Sequence, residues 1–70
     1  MIRAPVRSKA IAVVGFDADT NVLEVVLKEG GTYRYFGVPR SVAQAMLEAP
    51  SIGAFVATEV VPRFRGHKIR

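Results

Sequence analysis

Val22-Leu23-Glu24-Val25-Val26-Leu27-Lys28-Glu29-Gly30-Gly31-Thr32-Tyr33-Arg34-Tyr35-Phe36 decides how this chain of 70 residues is read. From Val22 onward the side chains alternate, with Leu23, Val25 and Leu27 on one side and Glu24, Val26 and Lys28 on the other. A period of two marks a strand buried on one face. Glu29-Gly30-Gly31 is turn material, and Thr32-Tyr33-Arg34-Tyr35-Phe36 carries the aromatic and β-branched residues that favour a further strand. So short a connection makes the two strands antiparallel.

The length of that turn decides which face the two tyrosines occupy. A two-residue turn at Gly30-Gly31 pairs Lys28 with Tyr33 and points both rings away from Leu23, Val25 and Leu27. The rings are then free to stack on nucleic-acid bases, each contact worth about 1–3 kcal/mol. A three-residue turn at Glu29-Gly30-Gly31 pairs Leu27 with Tyr33 and Val25 with Tyr35, which makes the tyrosines core. The second is favoured because it gathers the strongest hydrophobes on one face. Arg34 and Phe36 then occupy the open face as the better ligand candidates.

Upstream, Ala10-Ile11-Ala12-Val13-Val14-Gly15-Phe16 reads as another strand, joined to the first by the turn formers Asp17, Asp19 and Asn21. Downstream, Val42, Ala43, Met46 and Leu47 form a stripe at helical spacing. Pro39 suits a first helical turn and Ser41 to Gln44 matches a capping box, so either residue can start this helix. Pro50 ends it at Ala49. Ser51 caps a second helix with Ile52, Phe55, Val56 and Val60 on one face, and Pro62 ends that one. The expected fold is α+β: a three-stranded antiparallel meander followed by two helices packed on one face, β-β-β-α-α.

Charge is segregated. Arg3, Arg7 and Lys9 near the start and Arg63, Arg65, Lys68 and Arg70 near the end have no acidic residue among them. Residues 10–62 hold Lys28, Arg34 and Arg40 against Asp17, Asp19, Glu24, Glu29, Glu48 and Glu59, so a slightly anionic body carries cationic ends, for +4 in all. Folding does not need that arrangement, and a polyanionic partner explains it. Residues 1–70 are expected as a single domain with basic flexible ends over about 1–8 and 63–70. For the ends to act together they must emerge on a common side as one cationic surface.

A chain this short buries only about 60% of its unfolded surface. With no cysteine, neither disulfides nor thiolate metal sites help, and self-association is the remedy left, so a homodimer is expected. His67 has no second metal ligand beside it. The longest apolar run, residues 10–16, is far below the ~20 residues of a membrane helix, and a cytoplasmic protein without a membrane partner is expected. Asp17, Asp19 and Asn21 imitate the start of a calcium loop, but Val22 and Lys28 stand where glycine and glutamate are needed. Ser8, Ser41 and Ser51 have no histidine but His67, and Gly30-Gly31 leads into a strand rather than a helix, so neither a catalytic triad nor a phosphate loop is present. The expectation is a non-enzyme with no cofactor and no small-molecule substrate.

Val6-x-Ser8-x-x-Ile11, Gly15-Phe16-Asp17, Leu23-x-Val25-x-Leu27, Gly31-x-Tyr33-x-Tyr35, Val38-Pro39, Ala49-x-Ser51-x-Gly53 and Phe55 follow one another in an order that resembles the KTSC domain, over roughly residues 6–64. That family occurs at the C-terminus of some lysyl-tRNA synthetases and as small stand-alone bacterial or phage proteins. The resemblance implies contact with RNA through association with a tRNA-handling enzyme. Phe16, Ala57 and Phe64 depart from it, standing where tyrosine, asparagine and tyrosine are usual. The combined expectation is a module that binds RNA or single-stranded DNA. Arg3, Arg7, Lys9, Arg63, Arg65, Lys68 and Arg70 would meet phosphates, with Arg34, Tyr35 and Phe36 as stacking residues. The alternative is a protein-interaction or assembly module using an open sheet face or strand edge.

Overall fold

The computed structural model describes the backbone of residues 1–70 and every side chain but that of Ile2. The fold is α+β, with helices against one face of an antiparallel sheet that has five strands where three were expected. Strands β1 (Ile2–Pro5), β2 (Ile11–Asp17), β3 (Val22–Leu27), β4 (Thr32–Phe36) and β5 (Arg65–Lys68) lie side by side in chain order. The additional strands come from the segments expected as flexible ends. Ile2–Pro5 pairs with β2 and Arg65–Lys68 with β4, so backbone groups that water would otherwise satisfy are used at the sheet edges. Neither segment carries a run of alternating large hydrophobic residues.

The turn between β3 and β4 corrects the register while keeping the face. Val25 pairs with Tyr33 and Leu23 with Tyr35, two residues from the expected pairing. Lys28, Glu29 and Gly30 form the loop, closed by the Leu27 amide donating to the Gly31 carbonyl at 2.9 Å. Gly30 and Gly31 have φ values of 109° and 99°, which side chains strongly resist. A shift of two restores the parity, so Tyr33 and Tyr35 join Leu23 and Val25 on the helix-covered face.

A bulge in β2 serves the same face. Ile11 opposes Leu27 and Val13 opposes Val26, so Ala12 is the extra residue. Val14 and Ile11 thereby both turn inward although three positions apart.

Helix α1 (Arg40–Glu48) starts at Pro39, whose carbonyl accepts from the Val42 and Ala43 amides at 3.0 and 3.2 Å. No side chain caps it, so the Ser41–Gln44 box is unused. Val42, Ala43 and Met46 face the sheet, while Leu47, expected in that stripe, is at the surface. Ala49 is extended before Pro50. Ser51 caps α2 (Ile52–Phe55), accepting from the Ala54 amide at 3.2 Å.

The chain then widens into a π-helical turn, Val56–Val60, shown by the Val61 amide donating to the Val56 carbonyl. A wider turn aligns residues four apart better than the 3.6-residue α turn does. Ile52, Val56 and Val60 accordingly all reach the core, beside Leu23, Val25, Val38 and Met46. Among the described residues no helix is long and apolar enough to cross a membrane.

β5 is held against this core by a missing side chain. A Cβ on Gly66 would lie 2.5 Å from the Tyr35 ring, which occupies that space. Gly66→Ala is therefore expected to cost about 1–3 kcal/mol through overpacking, read as a lowered urea midpoint. An unchanged midpoint would show that Tyr35 does not hold β5 in place.

Candidate nucleic-acid interface

The sheet has one face covered by helices and one uncovered. Register assigns Arg3, Val13, Gly15, Glu24, Val26, Thr32, Arg34, Phe36, Arg65 and His67 to the uncovered face, since each is out of phase with the core residues beside it. Across its middle the pairs run Arg3–Gly15, Gly15–Glu24, Glu24–Arg34 and Arg34–His67.

Glu24 is the centre of this row and the one buried charged side chain among the described residues, at 3% exposure. The Arg3 Nε–H donates to its Oε2, and the Arg34 Nε–H donates to Oε1 at 3.4 Å. Gly15 makes the first contact feasible. A Cβ there would stand 3.0 Å from both Arg3 Cγ and Met1 Sδ, so the bare backbone of β2 is what lets Arg3 cross from β1 to β3. The hydrogen bond from Arg3 is the main cause that holds the Glu24 carboxyl below its usual range; burial opposes it, and Arg34 adds a smaller pull in the same direction.

Arg3, Val13, Glu24, Val26, Thr32 and Arg34, with Ile69 and Arg70, line a depression of about 400 Å³ on this face. Further along β4, Phe36 is 41% exposed and meets the His67 ring edge-on at 5.6 Å. Arg65 is the register partner of Phe36. The uncovered face thus joins Arg3, Arg34, Phe36, Arg65 and Arg70 from among the residues expected to bind.

The others are elsewhere. Tyr35 is buried on the opposite face, where desolvation first and Tyr33 second raise its phenol above the ordinary value. It is unavailable for stacking, because a single strand cannot turn adjacent residues to one side. Lys68 pairs with Tyr33 and so belongs to the covered side. Arg7 and Lys9 lie in the loop before β2, along a separate depression bordered by Pro50, Ser51 and Gly53. Arg63 bonds Glu59 at 3.2 Å, and its guanidinium sits 5.8 Å above the Phe64 ring. β1 and β5 are opposite edges, four strand spacings or about 19 Å apart, and of the seven cations in the two ends Arg3 and Arg70 are the pair from opposite ends that line one depression. What they share is a face.

Glu24, Gly15 and Thr32 are absent from the sequence-based site. Gly15 inside an apolar strand was the available signal, since such a glycine marks a close approach. Glu24 between valines resembles any solvated position of an alternating strand.

The KTSC domain model matches residues 7–64. The chain belongs to the KTSC domain family. A KTSC domain protein from Yersinia pestis has the same fold, with a TM-score of 0.93 and 38% identity over 99% of this chain and 97% of its own. A protein from Tsukamurella paurometabola is 43% identical over 61 residues, covering 87% of this chain and 91% of its own length. An uncharacterized protein from Stutzerimonas stutzeri is 42% identical over 53 residues, covering 76% and 75%. Among the positions where this KTSC chain departs from the family pattern, Phe16 and Phe64 pack partly buried against the core and Ala57 is exposed.

A carboxyl with a lowered folded-state pKa stabilises the fold above its unfolded value, about 4.3, and that stability is lost as pH falls through the folded value. Arg3→Ala is expected to raise the Glu24 pKa and the acid-unfolding midpoint more than Arg34→Ala does. Carboxyl-detected NMR titration and acid unfolding measure both. The reverse order would assign the main clamp to Arg34.

Proposed function

We propose that this KTSC domain is a non-catalytic module that binds single-stranded RNA or DNA across the uncovered face of its sheet. The observation that carries the reading is Phe36, an exposed ring braced by His67 and flanked on the same face by Arg34 and Arg65. A flat sheet presenting an aromatic among cations suits unpaired bases, which stack on the ring while guanidiniums follow the backbone. Arg3 and Arg70 extend the cationic path across the sheet. Arg7 and Lys9 stand off this face and contribute general attraction only.

Protein docking by strand addition is the weaker reading. Both edge strands have four residues; one holds Pro5, and the other Arg65 and Lys68. Short, charged or proline-bearing edges resist pairing with another chain.

Fluorescence anisotropy with labelled RNA and DNA tests the reading. Contact with three or four phosphates gives a slope of log affinity against log salt of about −2 to −3. Phe36→Ala is expected to remove about 1–3 kcal/mol of binding, and alanine at both Arg7 and Lys9 much less. No salt-dependent binding in the micromolar range, or full binding by Phe36→Ala, rejects it.

A further inference from the structure

The depression centred on Glu24 has a shape and chemistry that a surface tracking a nucleic-acid backbone does not require. Each of Arg3 and Arg34 spends its Nε–H on the carboxylate, and among the described residues their terminal nitrogens meet no protein acceptor. A guanidinium has five N–H donors in a planar fork, so most of each fork remains free. Their side chains are 49% and 40% exposed, open enough to meet a ligand. With each anchored at Nε to one oxygen of the same carboxylate, the two forks are held together before any ligand arrives. Ordering two flexible cations is a cost that ordinarily falls on binding, and here the fold has already met it.

The surroundings narrow the ligand. Arg70 borders the same hollow, so the residues lining it include three arginines and one glutamate, a side-chain balance of +2. Val13, Val26 and Ile69 supply apolar lining, and Thr32 is polar. A volume of about 400 Å³ falls within the range of small-molecule sites. Planar forks anchored to one carboxylate fit a phosphoryl group, and a net charge of two fits its monoester better than the singly charged diester of an intact strand.

We propose that the Arg3–Glu24–Arg34 clamp, with Arg70, is a binding site for a phosphate monoester, with Glu24 as the positioning residue. The monoester is carried either by a free phosphorylated small molecule or by the phosphorylated end of an oligonucleotide. The proposal goes beyond the stacking face at Phe36 and stands without it.

Amide and arginine Nε–H NMR titrations of the full chain test it with inorganic phosphate, a nucleoside 5′-monophosphate and the matching cyclic 3′,5′-monophosphate. The expected result is saturable shifts at Gly15, Glu24, Thr32 and Arg34, with a Kd at or below about 1 mM for the nucleoside monophosphate. The cyclic diester should bind at least about tenfold more weakly, having lost one charge. Arg34→Lys keeps a cation opposite Glu24 but removes the fork, and is expected to weaken the monoester about tenfold. Arg70→Gln, at an exposed position, should weaken it about threefold, and Arg7→Ala should leave it unchanged.

Oligonucleotides ending in 5′-phosphate or 5′-hydroxyl separate the two carriers. Preference for the phosphorylated end assigns the site to strand termini, and tighter binding of the free monophosphate assigns it to a small molecule; either supports the site. Shifts that chloride reproduces, that centre on Arg7 and Lys9, or that persist in full in both Arg34→Lys and Arg70→Gln overturn it. Failure of hydroxyl-ended oligonucleotides to bind removes the stacking reading alone, because the phosphate titration is read separately.

Discussion

A carboxylate buried on the uncovered side of a sheet must be compensated, because an unpaired charge out of water costs several kcal/mol. Glu24 meets that constraint with one arginine from an edge strand and one from a neighbouring strand. The consequences spread across the face. β2 must carry glycine at position 15 so that Arg3 can cross it. β1 must pair with β2 in the register that sets Arg3 opposite that glycine. Arg34 must face away from the core, which agrees with Tyr33 and Tyr35 facing into it. One ion cluster therefore ties β1, β3 and β4 together on the side where no helix assists.

The covered side was largely legible because hydrophobic parity is strong there. Leu23, Val25 and Leu27 state their face without reference to anything else, and the tyrosines follow once the turn is taken to have an odd number of residues. The exact loop was not legible, since Glu29-Gly30-Gly31 and Lys28-Glu29-Gly30 give registers two residues apart that leave the same side chains on the same face. The edge strands were hidden for a different reason. Ile2–Pro5 contains a proline and Arg65–Lys68 is Arg-Gly-His-Lys, so neither shows β propensity, and both are strands only because a neighbour offers unpaired backbone groups. Long-range pairing of that kind leaves no local trace.

The candidate site residues divide along the same line. Arg34 and Phe36 could be placed on the open face from alternation alone. Tyr35 could not belong there with them, because it is their neighbour in the strand. Segregated charge suggested a common side for the two ends, and Arg3 and Arg70 do reach one hollow from opposite edges of the sheet, while Arg63 is taken by Glu59. Glu24 stayed hidden because its meaning depends on Gly15, a residue that is paired with it only after folding.

Residues 37–64 intervene between Phe36 and its partner Arg65, whereas tight turns join β2, β3 and β4. Closing so long a connection costs about 3 kcal/mol on entropic scaling, so β5 is expected to join after the meander and to leave before it. That strand carries Arg65 and leads into Arg70, two of the four arginines placed on the uncovered side, Arg3 and Arg34 being the others. Were an anion to bind there, its occupancy and the attachment of the last strand would be thermodynamically linked, and the anion would act as a latch on β5.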